Sequence, residues 1–261
     1  MEIEFELNKS VDENAGTYFN KAKKAKSKLE GAKKALAESN AKLAKLMKEE
    51  DKFVEEEQKK EIKRNKKREW YEKFHWFISS ESFLCIGGRD ASSNEIVVKK
   101  HTDKNDLVFH TDMAGSPFFV IKDGQNAGEA TRAEAAQATA VYSRAWKLGH
   151  GTAEVFYVNP DQVSKDAQPG EFLAKGSFMI KGKTNYIKPK LEYAIALVKD
   201  EIIGGPVNAI ESQTKKFVIV ISGRNKKSAL AKKIKAKLGG GDLDDIIKFI
   251  PSGGAEISKR K

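Results

Sequence analysis

The sequence predicts an α+β protein: a long helical arm followed by a compact mixed domain. Three observations carry this reading. Residues 13–68 are rich in Lys, Glu and Ala, contain no proline, and repeat an apolar position every three or four residues. From Trp70 onward the texture changes to short apolar runs bounded by Gly, Ser and Pro turns. Segments of helical period then interrupt those runs after Thr131 and after Ser228.

Residues 1–12 begin with the alternation Ile3-Glu4-Phe5-Glu6-Leu7, which predicts one strand lacking a partner, a remnant or linker. The arm spans 13–70. Its apolar heptad runs through Ala15, Tyr18, Ala22, Ala25, Leu29, Ala32, Leu36, Ser39, Leu43, Leu46 and Phe53. The phase is lost near Glu50, which favours an antiparallel helical hairpin with its tip at 48–52. The absence of Gly or Pro there favours the alternative, one coiled-coil helix about 80 Å long at 1.5 Å per residue. The run Lys63-Arg64-Asn65-Lys66-Lys67-Arg68 places five cations in six residues, a spacing that repels unless an anion is near.

Residues 71–200 form the expected domain core. Residues 74–78 and 83–86 are predicted strands. Ser92 with Glu95 predicts a capping box opening a helix to about His101, against the strand preference of Ile96, Val97 and Val98. Residues 107–110 and 118–121 are predicted strands joined through Gly115-Ser116-Pro117. Thr131 with Glu134 predicts a second capping box and a helix to Leu148, closed by Gly149. Residues 153–158, 177–180, 184–187 and 191–198 follow as strands, with a hairpin over Lys181-Gly182-Lys183. A strand–helix extension, 201–251, contains the β-branched run 217–221 and an amphipathic helix, 228–238, stopped by Gly239-Gly240-Gly241. Residues 252–261 are expected to be a frayed basic tail.

Composition narrows the chemistry. Forty-eight Lys and Arg against 37 Asp and Glu leave a charge of +11, which favours a polyanionic partner. Cys85 is the only cysteine, so the chain forms no internal disulfide and a reducing compartment fits. No apolar run approaches the ~20 residues needed to span a bilayer, and a cytoplasmic location without a membrane is expected. His110-Thr111-Asp112 with His101 lacks the fixed spacing of a metal site. There is no G-x-S-x-G, and Gly87-Gly88-Arg89-Asp90 lacks the Lys-Ser/Thr of a P-loop. The expectation is a binding protein, not an enzyme, with no cofactor.

The candidate nucleic-acid contacts are Arg89, Lys99, Lys100, Lys122, Arg132, Lys181 and Lys183, all in or beside predicted turns, joined by Asp90 and His110 of the same region. Phe118, Phe119, Tyr157 and Tyr186 offer rings for stacking, although at least one of Phe118 and Phe119 must face inward on a strand.

The segment WYEKFHWFISSESFLCIGGRDASSNEIVVKKHTDKNDLVFHTDMAGSPFFVIKDG, residues 70–124, resembles the RNA-binding R domain of the NFACT proteins, the ribosome-quality-control family of RqcH and NEMF. The stretch KSVDENAGTYFNKAKKAKSKLEGAKKAL, residues 9–36, is similar to the coiled-coil middle region of the archaeal members. The resemblance implies docking on rRNA of a large ribosomal subunit that carries a stalled peptidyl-tRNA. It also implies possible tRNA contact, and ribosomal or quality-control proteins as partners of the coiled coil. The family's N-terminal domain and helix-hairpin-helix region have no counterpart in this sequence. A C-terminal fragment or split-gene product is therefore expected, one that docks but does not extend nascent chains.

Overall fold

The computed structural model describes residues 4–65, 69–166 and 173–259, with backbone alone for 48, 49 and 51–65. The chain divides into two units, Met1–Arg68 and Glu69–Lys261.

In the first unit, helix α1 covers Val11–Asn65, 55 residues without a break. Its start is a reciprocal cap: Glu13 Oε2 accepts from the Ser10 amide and Ser10 Oγ accepts from the Glu13 amide. The reversal expected at 48–52 does not occur. No Gly or Pro interrupts the Lys-, Glu- and Ala-rich backbone there, and each of those residues favours continued helix. The apolar stripe of Leu29, Leu36, Leu43 and Leu46 is exposed. The expected strand also fails: residues 4–9 contain no strand. With no ladder partner, the backbone of Glu4 bonds the Tyr18 hydroxyl, and that of Glu6 bonds the Asn14 amide. Lys66, Lys67 and Arg68 of the basic run lie outside the described residues.

The second unit contains β1 (His75–Ile78), β2 (Leu84–Gly87), α2 (Ala91–Lys100), β3 (Leu107–His110), β4 (Phe119–Ile121), α3 (Glu129–Val141), α4 (Arg144–Lys147) and β5 (Val155–Val158). Then come β6 (Val163–Ser164), β7 (Met179–Ile180), β8 (Asn185–Ile187), β9 (Glu192–Val198), β10 (Glu201–Gly205), α5 (Val207–Glu211), β11 (Phe217–Asn225), α6 (Lys227–Leu238), α7 (Leu243–Phe249) and β12 (Ala255–Ile257). The strands form a six-stranded antiparallel sheet, β1-β2-β4-β3-β5-β8, a four-stranded one, β10-β9-β11-β12, and the pair β6-β7. No helix of the described residues is long and apolar enough to cross a membrane.

The larger sheet is covered on both faces, because alternate side chains point to opposite sides. Cys85, Leu107, Phe109, Phe119 and Ile121 join α3 and the smaller sheet in one core. Ile86, Val108, Phe118 and Val120 join Val97 of α2 in a second. This burial holds 96–98 in a helix despite β-branching. It also answers the question of Phe118 and Phe119: both are interior.

Local signals misplace several boundaries. Helix α2 is capped by Asp90, which exchanges bonds with Ser93, so the Ser92–Glu95 box is not formed. Helix α3 starts at Glu129, which leaves Thr131 and Glu134 inside it and buried. Its cap comes from the β1–β2 turn: Glu81 Oε2 accepts from the amides of Gly128 and Thr131 and from the Thr131 hydroxyl. The helix ends at Val141 and restarts after the Ser143 cap as α4, so it does not run unbroken to Leu148. Lys181-Gly182-Lys183 is not a hairpin: β7 pairs with β6 and β8 with β5, where Tyr186 faces Phe156. The tail is not frayed at its start either. β12 pairs with β11, Ala255 is buried, and the indole of Trp146 donates to Gly254 O at 3.1 Å. A side chain at 254 would collide with the carbonyl of Gly223, so that approach requires glycine.

The Glu81 cap carries a pH signature. Its bonds to Thr131, and then Gly128, hold its carboxyl below the usual 4.5. The stability it contributes is present above that value and is lost as pH falls through the folded-state pKa. Thermal unfolding across pH should show Glu81→Gln destabilised near neutrality and converging on the parent protein in acid. Parallel curves at all pH would contradict the cap.

Candidate nucleic-acid interface

The site is assembled where the larger sheet, α2 and two loops meet. Gly88 follows β2 and gives way to Arg89 and Asp90, the residues that lead into α2. Asn94 then anchors the facing loop, accepting from the Phe118 amide at 3.1 Å and donating to Ser116 O at 3.3 Å. The segment 175–178 closes the third side. Gly176, at φ +79°, lies so close to Ala91 that a Cβ would stand 2.5 Å from the Ala91 carbonyl oxygen. Between these walls lies a cleft of about 380 Å³, with His75 and Tyr142 among its lining residues.

Two ring pairs line it. His110 stacks on Phe118 at 3.9 Å, and His75 stacks on Tyr142 at 3.7 Å. Burial, reinforced by Arg89 and Lys227, pushes the His75 imidazole down to about 3, so it is neutral at physiological pH. Burial likewise lowers His110, outweighing its bond to Pro117 O and the nearby Asp112. Because that 2.9 Å partner is a carbonyl, His110 Nδ1 is the donor, and its Nε2 is left as an acceptor.

The expected contacts divide into tethered and free groups. Lys122 is tethered. It binds Asp103 at 2.7 Å, the buried Asp106, and His101 O. Burial works against its ammonium, but the two carboxylates outweigh this and raise its pKa. Lys99 pairs with Glu95 at 2.6 Å. Asp90 is held as the α2 cap, and its hydrogen bonds from Ser93 lower its pKa. Arg132 lies over Tyr157 at 5.9 Å, with a buried Nε that has no hydrogen-bond partner among the described residues. Arg89 is intermediate: its Nη2 donates to Phe74 O at 2.8 Å and Glu72 O at 3.3 Å, while the residue itself is exposed. Lys100, Lys181 and Lys183 are exposed, with Lys181 only 3.8 Å from the exposed Asp166. Of the proposed stacking rings, Tyr157 packs on Phe109, and Tyr186 remains 55% exposed.

The cleft therefore unites Arg89, Asp90 and His110 with three residues that sequence reasoning passed over, His75, Tyr142 and Lys175. His75 was concealed inside an aromatic strand. Lys175-Gly176-Ser177 repeats the basic-glycine turn already noted at 181–183, and was the available signal. Lys99, Lys100, Lys122, Arg132, Lys181 and Lys183 do not line it. Lys226, Lys232, Lys233, Lys235 and Lys237 add an exposed basic surface on and beside α6.

The tethering of Lys122 has a measurable consequence. Lys122→Ala strands the carboxylate of Asp106 and should cost about 2–3 kcal/mol in urea unfolding. Once corrected for folded fraction, its RNA affinity should match the parent. A stable variant with weak RNA binding would make Lys122 a direct contact.

Residues 73–182 match the family model described as "NFACT protein RNA binding domain". The archaeal Rqc2 homolog aRqcH of Methanocaldococcus jannaschii is 40% identical over 210 residues, 77% of this chain and 31% of the relative. The human ribosome quality control complex subunit NEMF is 38% identical over 182 residues, 67% of this chain and 16% of the relative. The Schizosaccharomyces pombe ribosome quality control complex subunit 2 is 37% identical over 124 residues, 46% of this chain and 12% of the relative. This chain thus spans under a third of the length of those proteins. It carries an NFACT RNA-binding domain over residues 73–182 and is an RqcH/NEMF-like sequence.

Proposed function

We propose that this chain is the RNA-binding module of a cytoplasmic ribosome-quality-control factor and docks on rRNA of a large subunit carrying a stalled peptidyl-tRNA. It works by binding, without catalysis or a cofactor, and tRNA is a further candidate contact. The observation that supports this most is the coincidence of the family match over 73–182 with a folded unit whose surface presents exposed cations. Lys100, Lys183 and Lys232, Lys233, Lys235 and Lys237 of α6 are exposed, and Lys181 holds only a solvent-exposed pair with Asp166 at 3.8 Å, so these cations can meet phosphates without breaking a buried ion pair of the kind that holds Lys122. A second, protein partner is favoured by one feature, the exposed leucine stripe of α1.

Phosphate contact releases counterions, so affinity for large subunits should fall steeply with salt. Gradient co-sedimentation at near-physiological salt is expected to show the chain migrating with isolated large subunits. The double variant Lys181→Glu, Lys183→Glu should bind more weakly, and the slope of log K against log salt should be shallower by about 2. No co-migration of the parent chain would sink the proposal.

A further inference from the structure

The cleft at the start of α2 has features that general electrostatic docking does not need. A flat basic surface suffices to hold a phosphate backbone. Here, by contrast, a concave site of about 380 Å³ combines exposed cations, two stacked ring pairs and neutral imidazoles. We propose that it takes one unstacked nucleotide, with the phosphate on Arg89 and Lys175 and the base against the His110–Phe118 and His75–Tyr142 pairs. This rests on the RNA-binding reading and specifies what one site within it recognises.

Four observations argue for a nucleotide. The volume sits near the lower end of small-ligand sites, about 300–1,000 Å³. Arg89 uses only Nη2 on backbone carbonyls, so Nη1 and Nε are available, and Lys175 is exposed with no ion pair among the described residues. Asp90 is the one acid among the described residues of the lining, and its Oδ1 is occupied by the Ser93 amide and hydroxyl. Finally, the His75 imidazole makes ring contacts but no hydrogen bond with any described residue, and His110 offers a free acceptor. Neutral imidazoles are poor phosphate counterions, but they suit the donor and acceptor edge of a base whose face rests on an aromatic ring.

Such a nucleotide can be part of an RNA chain or a free nucleoside monophosphate. Calorimetric titration of the whole chain with ribonucleoside monophosphates, the matching nucleosides, inorganic phosphate and a short single-stranded RNA separates these sources. Monophosphate should bind at least about tenfold more tightly than nucleoside or phosphate alone, as loss of either the charge or the stacked base predicts. Lys175→Glu, at an exposed position, should weaken monophosphate and RNA by a similar factor, and His75→Gln should weaken both. Tighter binding of the RNA, displaced by monophosphate, identifies a nucleotide within a chain. Monophosphate binding that the RNA does not compete for identifies the free species. No binding of monophosphate, or binding that neither variant changes, overturns the proposal. If large-subunit co-sedimentation persists alongside that negative result, only the cleft assignment falls; if it too is absent, the RNA-binding reading falls with it.

Discussion

The burial of α3 between the two sheets is the constraint on which the folded unit depends. Ala135, Ala136, Ala138 and Ala140 are fully buried, and side chains this small let the helix backbone approach both sheets closely. On one side it meets Leu107, Phe109 and Phe119; on the other it meets Tyr193 and Ile195 of β9. Its first amides lie at the exposed end of the helix, where Glu129 and Ala130 face solvent. Glu81 satisfies them from the β1–β2 turn, which also ties the edge of the larger sheet to the helix that covers it.

The same constraint places the candidate site. Helix α3 stops at Tyr142, whose ring lies on His75 of β1 and near Phe119 of β4. The floor of the cleft is therefore the end of the most buried helix. The walls are fixed separately, by Asn94 gripping the 116–118 backbone and by Gly176 pressed onto Ala91. Rings, imidazoles and Arg89 are thus held before any ligand arrives, which reduces the ordering cost of binding. The fate of the cations follows from the same fold. Lys122 is captured by Asp106 because the core leaves that carboxylate buried, whereas Lys181 and Lys183 flank a glycine turn pinned by Gln162 and keep their charges outside.

Much of this was legible in the residues. The α+β class, the helical character of the N-terminal arm, most strands of the larger sheet and the helix ending at Leu238 follow from period and turn chemistry. What escaped was decided by tertiary partners. Glu81 caps α3 from 47 residues before Gly128, and no local spacing announces that. The β9–β10 hairpin turns on Lys199 and Asp200, both at positive φ, a conformation usually signalled by Asn or Gly. β12 was hidden because Ala255-Glu256-Ile257 lies within a short basic and glycine-rich tail and acquires strand character only by pairing with β11. Within the site, Arg89 was found for its charge. His75 and Tyr142 were missed because apolar surroundings in sequence do not reveal which rings will face a cleft.

A rigid α3 that presents a preformed cleft to RNA predicts a specific pattern of amide hydrogen exchange. The most direct measurement is exchange of the whole chain with and without single-stranded RNA. Amides of α3 should be among the slowest in both states, and RNA should add protection at 88–94, 110–118 and 175–178. Fast exchange in α3, or protection confined to α1 and α6 with those three segments unchanged, would contradict it.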